Sequence, residues 1–387
     1  MSFEDVDRTL LWEFGYWGKT MQRWYQEGLP RVHDLTQGSK PGEAGGIRGE
    51  TGPHNELSTL TTGLRKRDID VRQYFGFDKG MVLLPVNSFF SPPFEYTILE
   101  ETEEYTIFQD EFGIRTKTLK QTTSTPQFLK RPVENRRDFE AIRERLKPVL
   151  KERVPAQWKE LVQQYAQRDY PLTIGGHPCG FWAPLRLLMG EVRLMLNFYD
   201  DPQLVRDFMN YLADFWIQLW GEVLSEIKVD CCYFHEDMAY RTGPFISPEM
   251  FREFMLPPYQ RLTAFLRDMG LRIFLVDNDG NLEKLISLFL EAGITGVYLV
   301  EVQAGNDIVS MRKKYPRLQI LGGIDKMAIA RGKEAIDKEL DSKVPFVLRT
   351  GGYVPHIDHQ TPPDVSWEDF KYYRSRLHEM ILENGRR

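Results

Sequence analysis

Apolar positions along the chain fall into two rhythms, and the rhythm in each stretch decides which element to expect. From Leu172 onward, short apolar runs bounded by turn residues alternate with longer stretches whose apolar positions recur at three-and-four spacing. The runs Leu172 to Ile174, Val229 to Phe234, Arg272 to Val276, Gly296 to Val300, Leu318 to Leu321 and Phe346 to Leu348 read as strands, each followed by a helix. The clearest helix carries Leu204, Val205, Phe208, Leu212, Phe215, Trp216, Leu219 and Val223 on one face. Runs at Leu10 to Phe14 and Met81 to Val86 add two more strand candidates. Eight strand–helix units predict an α/β fold of the (β/α)8 TIM barrel type; a doubly wound open sheet is the other arrangement the count allows.

Between Phe94 and Gln127 the period drops to two around a turn at Gly113, which predicts an inserted β-hairpin region after the second strand. We place this insertion at residues 87–140, covering part of the barrel mouth, within a single domain spanning residues 1–387. Two helical stretches between Asp138 and Arg168 return the chain to the main body, and the Gly-rich, polar residues 36–56 read as a loop.

Charge and cysteine content narrow the partners. A formal net charge of -6 disfavours nucleic acid and anionic membrane surfaces. The first residues are acidic where a signal peptide needs a basic region, and no apolar run reaches the length of a membrane span, so a cytoplasmic location is expected. Cys179, Cys231 and Cys232 make no disulfide framework. As neighbours on a strand, Cys231 and Cys232 point to opposite faces and cannot both reach one site.

In a barrel the chemistry belongs at the C-terminal ends of the strands. Glu13 and Tyr16 follow the first strand, His177 and Cys179 sit in GGHPCG, and His235, Glu236 and Asp237 sit in YFHEDM. Asp277, Asn278 and Asp279 in VDNDGN come next, then Glu301 and Asp325 in GGIDK. The loop Thr350 to Val365 closes the ring with His356, Asp358 and His359. Any one of these is more often a helix cap or Asx turn; the repeated placement at one rim favours function. His33, His54 and His378 lie outside the pattern and read as surface residues. GGHPCG lacks the spacing of a phosphate loop, and His177 with Cys179 would need two further ligands to hold zinc. Tyr353 and other aromatics near the rim suit an aromatic or cationic ligand, and otherwise serve as packing.

Four stretches together, GGYVPHIDHQTPPDVSWEDFKYY, GGIDK, VDNDGN with EAGITGVYLVE, and HEDMAYRTGPFISPEMFREFMLPPYQRL, resemble the uroporphyrinogen decarboxylase superfamily from about Leu10 onward. That superfamily also holds cobalamin-linked methyltransferases, and the chain is more similar to this branch. Where true decarboxylases carry an arginine-rich loop that clamps tetrapyrrole carboxylates, this chain reads EFGYWGKTMQRW, with no arginine between Glu13 and Arg23. His359 falls where the family has its C-terminal histidine. Where the zinc methyltransferases carry H-x-C-G this chain has D-x-D-G, Asp277 to Gly280, and the later cysteine position falls at Gly351 and Gly352.

The resemblance therefore implies an enzyme that moves a methyl group between a small O- or N-methylated substrate and a corrinoid on a partner protein. The alternative it implies is a cofactor-independent decarboxylase of a small carboxylic acid. His359, His356, Asp358 and Asp277 are the expected catalytic residues, and Glu13, Tyr16, His177, Asp237, Asp325 and Tyr353 the expected substrate contacts. A metal site would draw on His235, Glu236, Asp277 and Asp279, an oxygen-rich set that accommodates zinc and equally suits no metal. Homodimers occur among relatives, so a homodimer is a further expectation.

Overall fold

The computed structural model describes residues 1, 3–4, 6–32, 68–120 and 126–384. The loop expected at 36–56, with His33 and His54, lies outside these residues. The strands in chain order are β1 (Val82–Leu83), β2 (Thr97–Glu101), β3 (Tyr105–Gln109), β4 (Arg115–Leu119), β5 (Gln127–Lys130), β6 (Leu172–Gly175), β7 (Cys231–His235), β8 (Ala239–Tyr240), β9 (Gly243–Pro244), β10 (Ile273–Asp277), β11 (Gly296–Tyr298), β12 (Gln319–Leu321) and β13 (Tyr353–Val354). Among the described residues, β1, β6, β7, β10, β11, β12 and β13 pair in that order, all in parallel, as one sheet curled into a half-barrel.

Strand alternation builds the interior. Cys231, Tyr233 and His235 on β7 lie in register with Ile273, Leu275 and Asp277 on β10. Cys231, Tyr233 and Leu275 share an inner apolar cluster with Trp12, Tyr298, Leu321 and Val354. Cys232 and Phe234, one step out of phase, pack instead into the outer core under the helices. That outer core receives Pro202–Glu226, whose eight expected apolar positions are all buried.

Two expected strands take another form. Residues 10–14 make no ladder; they run extended, with Thr9 Oγ1 donating to the Tyr353 carbonyl at 2.7 Å and the Leu11 carbonyl accepting from Asp78 N–H at 2.9 Å. The segment thus lies between β13 and the entry to β1, and sends Trp12 and Phe14 into the inner cluster. The run at Phe346 to Leu348 belongs to a helix, Lys333–Arg349. Its buried residues Ile336, Leu340, Val344 and Val347 form a helical stripe whose last turn, viewed alone, looks like a strand. The strand that replaces it, β13, is two residues long and lies inside what reads as loop.

The period-two stretch forms a four-stranded antiparallel sheet in the order β2, β3, β4, β5. It is rooted on the main core by Phe94, Phe112 and Ile114, while β2 and β5 are exposed along their length. A second core joins the two ends of the described chain: Leu11, Tyr16 and Trp24 pack with Trp367, Phe370 and Leu377 of the helix Trp367–Asn384. No helix of the described residues is long and apolar enough to cross a membrane.

Candidate active site

His235 ends β7 and Asp277 ends β10, each at the same register and both pointing inward, so neighbouring parallel strands deliver an imidazole and a carboxylate to one spot. Two residues past His235, Asp237 returns to the same side. Its φ of 47° places a non-glycine residue in the left-handed region, which aspartate tolerates better than most at a cost the surroundings must offset. Arg186, from the helix Trp182–Met189, offsets it by donating to both the Asp237 carbonyl and its Oδ2 at 3.3 Å.

The three side chains converge. His235 Nε2 lies 3.5 Å from Asp237 Oδ2, and His235 Nδ1 lies 3.7 Å from Asp277 Oδ2. One potential ligand atom from each falls within 4.8 Å of the others, and among the described residues this is the group able to hold a metal ion. His235 Nδ1 is buried with no hydrogen-bond partner, the condition a cation ligand would relieve. Tyr233, one layer deeper on β7, donates its hydroxyl to Asp277 Oδ2. Burial, then the neighbouring Asp237 charge, pushes the Asp277 carboxyl well above the usual carboxylate range. Burial acts on Asp237 in the same sense, but His235, Arg186 and the Asp279 N–H together hold it below its ordinary value.

A second pair sits beside the first. His359 Nε2 approaches Asp279 Oδ1 at 4.0 Å, with side chains 26% and 41% exposed, so this pair is the part of the cluster that solvent and a ligand can reach. Phe14 flanks the His359 ring at 5.5 Å. On the other side His177 lies 4.9 Å from His235, ring to ring, and 6.0 Å from Phe112 at the root of the antiparallel sheet.

The remaining expected site residues are engaged elsewhere. His356 is fully buried against Trp12 and Tyr298, and its Nδ1 meets the Ile357 carbonyl at 2.6 Å. Burial lowers it to about 3, so it is a neutral packing ring, unable to donate a proton from an imidazolium at neutral pH. Asp358 accepts from Val302 N–H, Lys326 N–H and Lys326 Nζ, tying two rim loops together away from either histidine. Glu236 points outward, where its carboxylate accepts the Phe181, Trp182 and Ala183 N–H groups and caps the helix Trp182–Met189. Asp237 takes the place in the cluster that was expected of Glu236.

Asp325 caps its own short helix through Met327 N–H. Tyr353 donates to the Gly322 carbonyl inside the core, and Tyr16 packs on Trp24 and Phe370. Glu13 has both oxygens occupied by Tyr373, Arg374 and the Ile357 N–H. Arg186 and Tyr233 were missed. The signal for Arg186 was an arginine in an otherwise apolar helix, WAPLRLLM; for Tyr233 it was its place two residues before His235 on an alternating strand.

Gly180 is required where the turn before this helix crosses β7: an added Cβ would overlap the His235 carbonyl and meet Glu236 Oε2 at 2.9 Å. A Gly180→Ala change is expected to cost about 1–3 kcal/mol, read by denaturant unfolding. His356 gives a pH effect of fixed sign. Its folded value of about 3 lies below the ordinary 6.5, so the unfolded chain binds the extra proton between those limits. Stability is therefore lost as pH falls from about 6.5 towards 3. Thermal melts of His356→Gln should show a shallower decline over that window than the parent.

A cavity of about 990 Å³ opens at the opposite end of the sheet, lined by Arg8, Asp78, Arg168, Asp230 and Gly351 among others, and no residue of the His–Asp cluster reaches it. The polar convergence, not this cavity, marks the candidate site.

A parallel half-barrel with imidazole and carboxylate groups gathered at the C-terminal ends of its strands is the layout of a barrel enzyme. The uroporphyrinogen decarboxylase (URO-D) family model matches residues 106–380, and the chain belongs to that family. Among solved structures it is similar to a methyltransferase from Methanosarcina mazei, at 14% identity and a TM-score of 0.57, covering 97% of this chain and 94% of that one. It is more distantly similar to a B12-independent methionine synthase from Shewanella sp. W3-18-1 in complex with selenomethionine, at 11% identity and a TM-score of 0.36, covering 85% and 87%. None of the curated proteins matches the chain.

Proposed function

We propose that the protein is a methyltransferase of the URO-D superfamily that moves a methyl group from a small O- or N-methylated substrate to a corrinoid carried by a partner protein. The observation that carries this reading is the His235, Asp237 and Asp277 cluster beside the His359–Asp279 pair, in a rim whose Arg186 is committed to Asp237. A tetrapyrrole with many carboxylates would need free cations at that place. His235, Asp237 and Asp277 would hold a divalent cation such as zinc, which supplies Lewis-acid polarisation of the substrate's oxygen or nitrogen. His359 gives a proton to that atom as its bond to the methyl carbon breaks and the methyl passes to reduced cobalt, and Asp279 orients the ring. His177 and Phe112 wall the substrate on the far side, which fits residues 87–140 as an insertion covering part of the mouth.

The experiment is methyl transfer from a panel of methyl ethers and methylamines to reduced corrinoid protein, followed by the cobalt spectrum. Turnover of one panel member supports the reading, and none across the panel removes it. Family membership favours a second reading, decarboxylation of a small acid with His359 as proton donor to the developing carbanion. Carbon dioxide release without any corrinoid present would select that reading instead.

A further inference from the structure

The loops that carry His359 and Asp279 are joined through a residue outside the cluster. Lys326 opens the short helix Lys326–Ile329 after β12, with its side chain only 18% exposed. Its Nζ donates to both oxygens of Asp358 at 3.3 Å and lies 3.9 Å from Glu301 Oε1. Each of these carboxylates adjoins one member of the His359–Asp279 pair. Asp358 directly precedes His359, so fixing its fully buried side chain fixes the peptide from which the imidazole projects. Glu301 turns its other oxygen, Oε2, to the Gly280 N–H at 3.0 Å, the peptide that directly follows Asp279. At Gly280 an added Cβ would fall 2.7 Å from the Ala239 carbonyl oxygen, so this turn is anchored through its backbone, by Glu301 and by Asn306 Nδ2 on the Gly280 carbonyl at 2.8 Å. The path closes where His359 Nε2 meets Asp279 Oδ1 at 4.0 Å.

We propose that Lys326 is a positioning residue: by drawing Asp358 and Glu301 together it sets the approach of His359 to Asp279, and with it the direction in which His359 delivers a proton. The inference rests on the methyl-transfer reading for the reaction in which its effect is measured. Burial pushes the Asp358 carboxyl above its ordinary value, and the Lys326 ammonium is the largest influence against that. With the ammonium gone, two carboxylates within reach of one cation would repel each other, and the loops that bear His359 and Asp279 would separate. A shift of roughly 1 Å between reacting groups costs on the order of 100-fold in rate. A lysine that only stabilised the fold would act alike whether or not His359 is present.

The test is a double-mutant cycle on the full chain, run below the melting range of every variant. Lys326→Met should lower kcat roughly 100-fold in the parent, with KM within about twofold and metal content unchanged. In the His359→Gln background the same change should lower kcat no more than about threefold, because the residue through which it acts is already absent. Glu301→Gln keeps an acceptor for the Gly280 N–H and removes only the charge that Lys326 attracts, so it serves if Lys326→Met does not fold. It should lower kcat in the parent and leave His359→Gln unaffected. An effect of the same size in both backgrounds, none included, overturns the inference, as does a loss confined to KM. If the parent turns over no member of the substrate panel, the methyl-transfer reading falls, and crystal structures of the parent and of the variant that folds decide the positioning alone. A His359–Asp279 separation widened by roughly 1 Å upholds it, and an unchanged separation overturns it.

Discussion

Arg374→Met is expected to cost about 3–5 kcal/mol of folding stability, the scale of a buried ion pair broken on one side. Both side chains are almost fully buried, with Arg374 Nη1 2.6 Å from Glu13 Oε1. Tyr373 donates to the same oxygen at 2.5 Å, and the Ile357 N–H reaches Oε2 at 3.3 Å. Even so, burial lifts the Glu13 carboxyl above its ordinary value, which means that its charge is tolerated only because these donors are present. Without the guanidinium the carboxylate must either remain charged without its cation or take up a proton, and both routes are unfavourable. Arg374 also lies over the Phe77 ring at 4.5 Å, so methionine keeps part of the packing and isolates the electrostatic loss. Denaturant unfolding gives the number. The double change Glu13→Gln/Arg374→Met should recover a good part of it, because the stranded charge is then gone; a single-variant loss under about 1 kcal/mol would mean the pair behaves as a surface contact.

His359→Gln is expected to lower kcat/KM of the proposed methyl transfer roughly 100- to 10,000-fold, the usual contribution of a positioned proton donor. His359 and Asp279 form the solvent-accessible edge of the cluster, while His235 and Asp277 are buried beneath. The two layers should therefore separate by experiment. In His359→Gln the metal content of the purified protein stays at the parent's level while turnover falls. In His235→Ala the metal is lost as well, because the imidazole contributes the cluster's only nitrogen donor. Elemental analysis beside steady-state rates distinguishes these outcomes, and equal loss of metal in both variants would place His359 among the ligands instead.

Much of the candidate cluster stood out in the sequence because its residues end or closely follow strands. His235, Asp237, Asp277, Asp279 and His359 stand out in HED, D-x-D-G and the last loop. Glu236 was assigned to the wrong side, although the alternation that separates Cys231 from Cys232 also turns Glu236 away from His235 and Asp237. His356 was read as a rim residue because no local pattern distinguishes a buried neutral imidazole from a catalytic one; only the packing of Trp12 and Tyr298 does. Most parallel strands were visible as apolar runs. The exceptions have one cause, that a short apolar run has no period of its own: Leu10 to Phe14 lacks a ladder, and Phe346 to Leu348 completes a helical stripe begun ten residues earlier.

The second core binds the segment around Leu11 to Trp24 to the helix Trp367–Asn384, and this sets an order of events during synthesis. Glu13 leaves the ribosome 361 residues before Arg374. At about 5–20 residues per second, that interval is tens of seconds. Throughout it, Leu11, Tyr16 and Trp24 are without the aromatic surface of Trp367 and Phe370. In the nascent chain the apolar surface of that segment therefore has no native partner until the helix Trp367–Asn384 has been made.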